Sequence, residues 1–112
     1  SIEHFIDDVI CGVVTPVKQQ GANIPRLALL KANFPVHVPG VQLNRKCGSS
    51  QQAIHFMAQA IAAGDYELGI ACGIECMSQC PMRLDTDEKM WQGKAGYVHS
   101  NYCFFVILIL LA

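Results

Sequence analysis

The sequence predicts an α/β fold in which strands and helices alternate and pack in layers. Apolar runs with strand character at 9–14 and 68–73 flank an alanine-rich run with helix character at 53–63. Strand–helix–strand order is typical of a parallel sheet covered by helices. The composition, 52% hydrophobic and 15% charged over 112 residues, suggests a piece of a larger protein. The net charge of −1 gives no basic surface for nucleic acid or an anionic membrane.

The first strand is predicted over 7–14, and a helix follows it. Asn23 is placed to cap that helix, Pro25 suits its first turn, and Asn33 with Pro35 ends it. Large apolar side chains recur along it at intervals of three and four: Leu27, Leu30 and Phe34. This spacing predicts one apolar stripe along the helix.

The second strand is predicted over 41–46. The helix that follows is apolar on nearly every side and ends at Gly64, so we expect it to lie inside the protein between two layers. The third strand, over 68–73, is apolar throughout, as a buried parallel strand is.

Cys47 stands where the second strand ends and this helix begins. A thiol in the first turn of a helix meets unpaired backbone N–H groups and the positive end of the helix dipole, which favour a thiolate over a thiol. Gly48 leaves room beside the sulfur for an incoming group. Cys47 is therefore a candidate nucleophile, and the alternative from position alone is a small buried apolar residue.

Three segments of the chain share their order and spacing with one enzyme family. They are 8–12 with 21–26 and Pro35, then 38–64 around Asn44-Arg-Lys-Cys-Gly-Ser-Ser-Gln-Gln52, then 70–81. On these segments, residues 6–82 resemble the thiolases. The chain departs from the family pattern at Pro25, Asn33, Cys72 and Cys76, and none of these departures removes the nucleophile.

The resemblance implies a partial thiolase N-terminal half, with a layered sheet and a buried central helix. It implies that the chain lacks the family's first strand and the whole C-terminal half. Residues 1–82 are then a partial N-terminal domain, and 83–112 are a divergent tail that begins the loop region and ends in a non-family apolar run. Full-length members of the family are expected to be dimers or tetramers.

The resemblance also implies a chemistry for Cys47. Its thiolate attacks a 3-ketoacyl-CoA, an acyl thioester forms on the sulfur, and the acyl group passes to coenzyme A, which is a substrate and not a bound cofactor. The backbone N–H of Cys47 is expected to help hold the oxyanion. The family's partner histidine and second cysteine belong to the other half, so we expect no turnover by this chain alone.

Two alternatives remain beside this enzyme. The chain could be a non-catalytic fragment that docks on a full-length thiolase through strand 41–46, which lies at the dimer interface in the family. It could also be a related condensing enzyme that elongates carrier-bound acyl chains, although the residues around Cys47 favour the thiolases.

The remaining cysteines do not have the spacing of a metal site. Cys72, Cys76 and Cys80 are four residues apart, so we expect no bound metal. Cys11 and Cys72 lie in apolar strand-like runs, as buried free thiols do. Together with the family, this favours a reducing intracellular compartment, with cytosol, mitochondrion and peroxisome unresolved.

The four histidines and Glu75 are the other candidates for a catalytic base. His55 lies about 12 Å along its helix from Cys47, too far for a hydrogen bond, and is expected to be a packed or satisfied helix residue. His4, His37 and His99 are expected on the solvated surface. By resemblance, Glu75 is a structural carboxylate that accepts backbone hydrogen bonds near the site.

The run 103–112 is apolar without interruption. As a helix it would be about 15 Å long, half of a bilayer core, so it is too short to span a membrane. We interpret it as the product of a misread or aberrantly spliced gene, with a buried strand or a truncated membrane segment as alternatives.

Overall fold

The computed structural model describes residues 1–86 and the backbone of two short strands near the C-terminus. The strands are β1 (Asp8–Val13), β2 (Gly40–Leu43), β3 (Gly69–Cys76), β4 (Cys103–Phe104) and β5 (Ile109–Leu111). The helices are α1 (Ile24–Lys31) and α2 (Ser49–Ala63), with short 3₁₀ turns at Ile2–Phe5 and Lys18–Gln20.

The strands form one sheet in the order β2-β1-β3-β4, and β5 also pairs with β3. β1 is parallel to both β2 and β3, whereas β4 and β5 run antiparallel to β3. Every residue of β1 is buried, because it is central in the sheet and covered on both faces. The predicted α/β class and the three predicted strands are confirmed, with β2 shorter than expected and β3 longer.

The two faces of the sheet carry different helices. Val9 and Ile70 pack with Leu29 of α1, whereas their neighbours Ile10 and Ala71 pack with α2. This division follows from the alternation of side chains along a strand. The described part of the chain is therefore a three-layer unit of α1, sheet and α2.

The apolar stripe predicted for α1 is not the face of the helix that packs against the sheet. Leu27 and Leu30 are 48% and 43% exposed, whereas Pro25 and Leu29 are buried. The orientation of α1 is fixed by contacts outside the helix. The Arg26 guanidinium donates to the carbonyl oxygens of Val38, at 2.6 Å, and Val36, at 2.9 Å. Within the predicted stripe, only Phe34 packs against the core.

Asn23 occupies the N-cap position of α1 but does not cap it with its side chain. Its backbone is left-handed, with φ 56°, and its amide Nδ2 donates to Gly40 O at 2.8 Å. The Gln42 side chain of β2 caps the helix instead, accepting from Ile24 N at 3.1 Å. Pro25 lies in the first turn as predicted.

α2 covers the opposite face of the sheet and ends at Gly64, whose φ of 83° is the left-handed conformation predicted for a stop. Ala53 and Met57 are fully buried. The expectation that this helix is enclosed on both sides is wrong for this chain, because Phe56 is 44% exposed. The described residues supply a layer for one side of α2 only.

The C-terminal apolar run contributes backbone to the sheet. β4 and β5 lie antiparallel along β3, which agrees with the strand alternative for this run. The interpretation as a misread gene stays a prediction, and His99 lies outside the described residues. None of the helices in the described part has the length and apolar character needed to cross a bilayer.

Candidate active site

The carboxyl ends of β1 and β3 meet the N-terminus of α2 over a pair of glycines. Gly12 and Gly73 are register partners, and both face α2. A Cβ on Gly12 would lie 2.5 Å from the backbone of Ser49 and Ser50, and a Cβ on Gly73 would overlap Ser50 Oγ. The absence of side chains at these positions allows the first turn of α2 to rest directly on the sheet.

A hydrogen-bonded turn connects β2 to α2 and carries Cys47. The Asn44 amide donates to Val14 O at 3.0 Å, and its oxygen accepts from Lys46 N at 2.9 Å. The Ser49 hydroxyl accepts from Arg45 N at 2.9 Å and donates to Lys46 O at 2.6 Å. These bonds tie the turn both to the end of β1 and to the first residue of α2.

Cys47 is exposed at the top of this turn. It precedes Gly48, the N-cap of α2, so it lies just before the helix and not in its first turn as predicted. The alternative of a small buried residue is wrong for Cys47, whereas Cys11 and Cys80 are buried thiols. Backbone N–H groups of the first turn still point toward this end of the helix.

A small pocket, the nucleophile pocket, opens beside Cys47 and has a volume of about 110 Å³. Its lining residues are Gly12, Val14, Lys46, Cys47, Ser49, Ser50, Gly73, Ile74 and Glu75. A water molecule takes about 30 Å³ of liquid, so the pocket has room for roughly three to four waters or a small acyl group. Lys46 and Glu75 bring one side chain of each charge to its wall.

Glu75 accepts a hydrogen bond from the buried side chain of Gln20, a residue that no sequence motif indicated. Gln20 is 2% exposed, and its amide donates to Thr15 O at 2.9 Å and to Glu75 Oε1 at 3.3 Å, while its oxygen accepts from Cys76 N at 2.6 Å. The second oxygen of Glu75 is buried and has no hydrogen-bond partner within the described residues. The expected backbone donors to Glu75 are thus replaced by a side-chain amide.

No histidine of the described segment lines the nucleophile pocket. His55 is exposed on α2, beside Arg45 and Gln52, so the expectation of a packed residue is wrong. His4 and His37 are exposed as predicted, and the His37 ring lies 3.3 Å from His4 O. Across residues 1–86, no three His, Cys, Asp or Glu side chains cluster in a way that could hold a metal ion.

The sequence matches a family model described as the N-terminal domain of thiolase over residues 3–102. A steroid 3-ketoacyl-CoA thiolase of Mycobacterium tuberculosis is 51% identical over 77 residues, covering 69% of this chain and 19% of the relative. A 3-ketoacyl-CoA thiolase of Yersinia enterocolitica is 45% identical over 89 residues, covering 80% and 23%. The chain thus spans about a fifth of the length of these relatives.

Two solved thiolase structures superpose on this chain. A thiolase from Ascaris suum, crystallised with coenzyme A, superposes with a TM-score of 0.66 at 34% identity, over 70% of this chain and 20% of that one. The peroxisomal 3-ketoacyl-CoA thiolase of Saccharomyces cerevisiae superposes with a TM-score of 0.61 at 37% identity, over 67% and 22%. The layered sheet described above is therefore shared with proteins of known structure.

Proposed function

The chain belongs to the thiolase family, and from that premise we propose that it carries the nucleophile of a thiolase-type acyltransferase, with Cys47 as the residue that forms the acyl thioester. The observation that carries the proposal is the position of Cys47. It is exposed on a hydrogen-bonded turn at the N-terminus of α2 and lines a pocket large enough for a small acyl group.

The reaction that fits this site is attack of the Cys47 thiolate on the keto carbon of a 3-ketoacyl-CoA. The carbon–carbon bond then breaks, its electron pair leaves with acetyl-CoA, and that fragment takes up a proton. The acyl group stays on sulfur until coenzyme A removes it, because a thiolate is both a good nucleophile and a good leaving group. The backbone N–H of Cys47 is a donor for the oxyanion. Condensation is the reverse reaction.

We propose that the chain alone does not turn over. A general acid must protonate the departing acetyl-CoA, and a base must activate the incoming thiol. The described pocket offers no histidine and no second cysteine for these roles. Removing one member of a catalytic unit typically costs several powers of ten in rate.

The test is to incubate the purified chain with acetoacetyl-CoA and to measure two quantities. After prolonged incubation, mass spectrometry of peptides should find an acetyl group on Cys47, absent in Cys47→Ala and kept in the matched control Cys76→Ser, because one slow acylation can use water as the proton donor. Steady-state CoA-dependent cleavage should not exceed the Cys47→Ala background. Acetylation at another cysteine would contradict the nucleophile, and sustained turnover would contradict the inactivity.

Coenzyme A enters this proposal as a substrate, with no other cofactor required. We propose a reducing intracellular compartment, supported by the thiols that remain free among the described residues, including buried Cys11 and Cys80. For the full-length protein we propose a dimer or tetramer.

A second candidate function is docking on a full-length thiolase. β2 pairs with β1 along one edge, and within the described strands its other edge has no partner. Val41 on this strand is 45% exposed. An open strand edge with an exposed apolar side chain can take a strand from another chain. Such a heterodimer would hold one nucleophile without its catalytic partners.

A further inference from the structure

Two thiols lie side by side on the face of the sheet that α1 covers. Cys11 of β1 and Cys72 of β3 are register partners in adjacent parallel strands. Neighbouring strands are about 4.8 Å apart, which lies within the range of Cα separations that a disulfide bridges. Side chains at paired positions point to the same face, and both cysteines are free thiols. This pair is distinct from Cys47, which lies with α2 on the other side of the sheet.

An apolar cavity of about 240 Å³ lies between this face and α1. Both thiols line it, together with Leu29 of α1 and the strand residues Ile70 and Ile74. No charged side chain of the described residues contributes to its wall. Burying apolar groups from water is favourable, so the cavity selects an apolar molecule over a polar one of the same reactivity.

The two sulfurs have different environments. Cys11 is 4% exposed, and its thiol donates to Gly12 O at 3.7 Å. The neighbouring Cys72 sulfur, followed by burial, raises the pKa of Cys11 above its ordinary value. The Cys11 thiol, in turn, lowers the pKa of Cys72. Cys72 is also partly exposed, so it is the sulfur that meets a reagent first.

We propose that Cys11 and Cys72 form a dithiol site that reduces an apolar hydroperoxide and closes to a disulfide between β1 and β3. The Cys72 thiolate attacks the outer peroxide oxygen, the O–O bond breaks, and the alkoxide leaves and is protonated to the alcohol. Cys72 is then a sulfenic acid. The Cys11 sulfur attacks the Cys72 sulfur, the S–O bond breaks, and water leaves with the proton of Cys11. Two thiols are oxidised by two electrons, and one hydroperoxide is reduced to an alcohol and water.

The test oxidises the folded chain with one equivalent of cumene hydroperoxide in a Cys47→Ala background, which removes the exposed thiol of Cys47. Cleavage after Glu, Lys and Arg separates Cys11, in peptide 4–18, from Cys72, in peptide 68–75. We expect these two peptides to be linked without reductant and released by it. Cys72→Ala should abolish the link, whereas Cys76→Ser, on the same strand, should keep it. Links between other cysteines in place of this one would overturn the proposal.

The role of the cavity is tested by comparing rates in the folded and the guanidinium-unfolded chain. The ratio of the rate constant for cumene hydroperoxide to that for hydrogen peroxide should be at least about tenfold higher in the folded chain, since burial of two methylene-sized groups suffices for that factor. An equal ratio in both states would overturn the selectivity. Both rate constants are followed on Cys72 in peptide 68–75, so the thiols that unfolding exposes elsewhere do not enter the ratio, and the comparison does not depend on the folding of a variant.

Discussion

At the scale of single residues, the candidate nucleophile could be placed from the sequence, but the buried hydrogen bonds near it could not. Cys47 follows a strand-like run and precedes a helix-like one, and this local pattern predicts its position at the strand–helix junction. Gln20 lies in a short polar turn and gives no such signal, yet it is 2% exposed and joins Thr15 to Glu75. Glu75 is 55 residues away from Gln20 in sequence, so only the folded chain shows that the amide is buried and joins these two segments.

Gln20→Ala should destabilise the chain by about 2–4 kcal/mol, because it leaves buried polar groups unpaired and opens a cavity. Among the partners left behind is Cys76 N, which now donates to the Gln20 oxygen at 2.6 Å. The measurement is the free energy of unfolding from urea titration. The neighbouring Gln19→Ala, at an exposed position, should change it by less than about 0.5 kcal/mol. A loss for Gln20→Ala as small as the one for Gln19→Ala would mean that the Gln20 hydrogen bonds contribute no net stability.

At the scale of secondary-structure elements, the sequence predicted position better than orientation. The β1 and β3 runs and α2 have strong apolar patterns, so their existence and approximate limits follow from composition and spacing. The face of α1 does not, because Leu27 and Leu29 are equally apolar. The choice between them is made by the Arg26 bonds to the chain after the helix, at Val36 and Val38. Contacts of this kind are not visible in periodicity.

The close approach of α2 to the sheet gives a prediction for Gly12. In Gly12→Ala, the new Cβ meets the backbone of Ser49 and Ser50, which cannot rotate away, so α2 must shift. We expect a loss of about 1–3 kcal/mol in the free energy of unfolding. Gly48→Ser is the matched control, because its Cβ would meet nothing closer than 3.5 Å, its φ of −95° suits any residue, and Ser is favoured at the N-cap of a helix. A stability loss as large in Gly48→Ser would contradict this reading of the packing.

The link between the start of β1 and the end of the α2–β3 connection predicts a pH dependence. Asp7 Oδ2 accepts from Leu68 N and Glu67 N, and these bonds lower the pKa of Asp7. A carboxyl group with a lowered folded pKa contributes stability above its unfolded pKa of about 4 and loses it as the pH falls through the folded value. Asp7→Asn should therefore lower the urea midpoint at pH 7, and the difference should shrink as the pH falls below the unfolded pKa of about 4 and the folded carboxyl takes up its proton.

The control for that experiment is Asp65→Asn, another exposed aspartate of the same region. Its urea midpoint should follow the unmodified chain at both pH values. If the lower urea midpoint of Asp7→Asn persists unchanged at low pH, the charge of the Asp7 carboxylate is not what stabilises the link between β1 and β3.

At the scale of the whole molecule, apolar surface stays uncovered on both helical layers and on the sheet edge. Leu27 and Leu30 of α1, Phe56 of α2 and Val41 of β2 are each more than 40% exposed. These side chains lie on separate surfaces, where a further layer or another chain can pack against them. This exposed apolar surface agrees with the low charge of the sequence and with a chain that spans about a fifth of its relatives. The sequence predicted the excess of apolar residues, whereas the structure shows which ones the described chain leaves exposed.

The open edge of β2 gives the last prediction. A tagged copy of this chain should co-purify with a full-length 3-ketoacyl-CoA thiolase when the two are expressed together. Val41→Lys places a charge on the edge strand, which natural sheets use to prevent pairing, and should lower the recovered thiolase at least tenfold. Val36→Lys is the matched control, because Val36 is 79% exposed but lies outside the strand. If both substitutions leave recovery unchanged, β2 is not the docking edge; if the unmodified chain recovers no thiolase, docking is not a function of this chain.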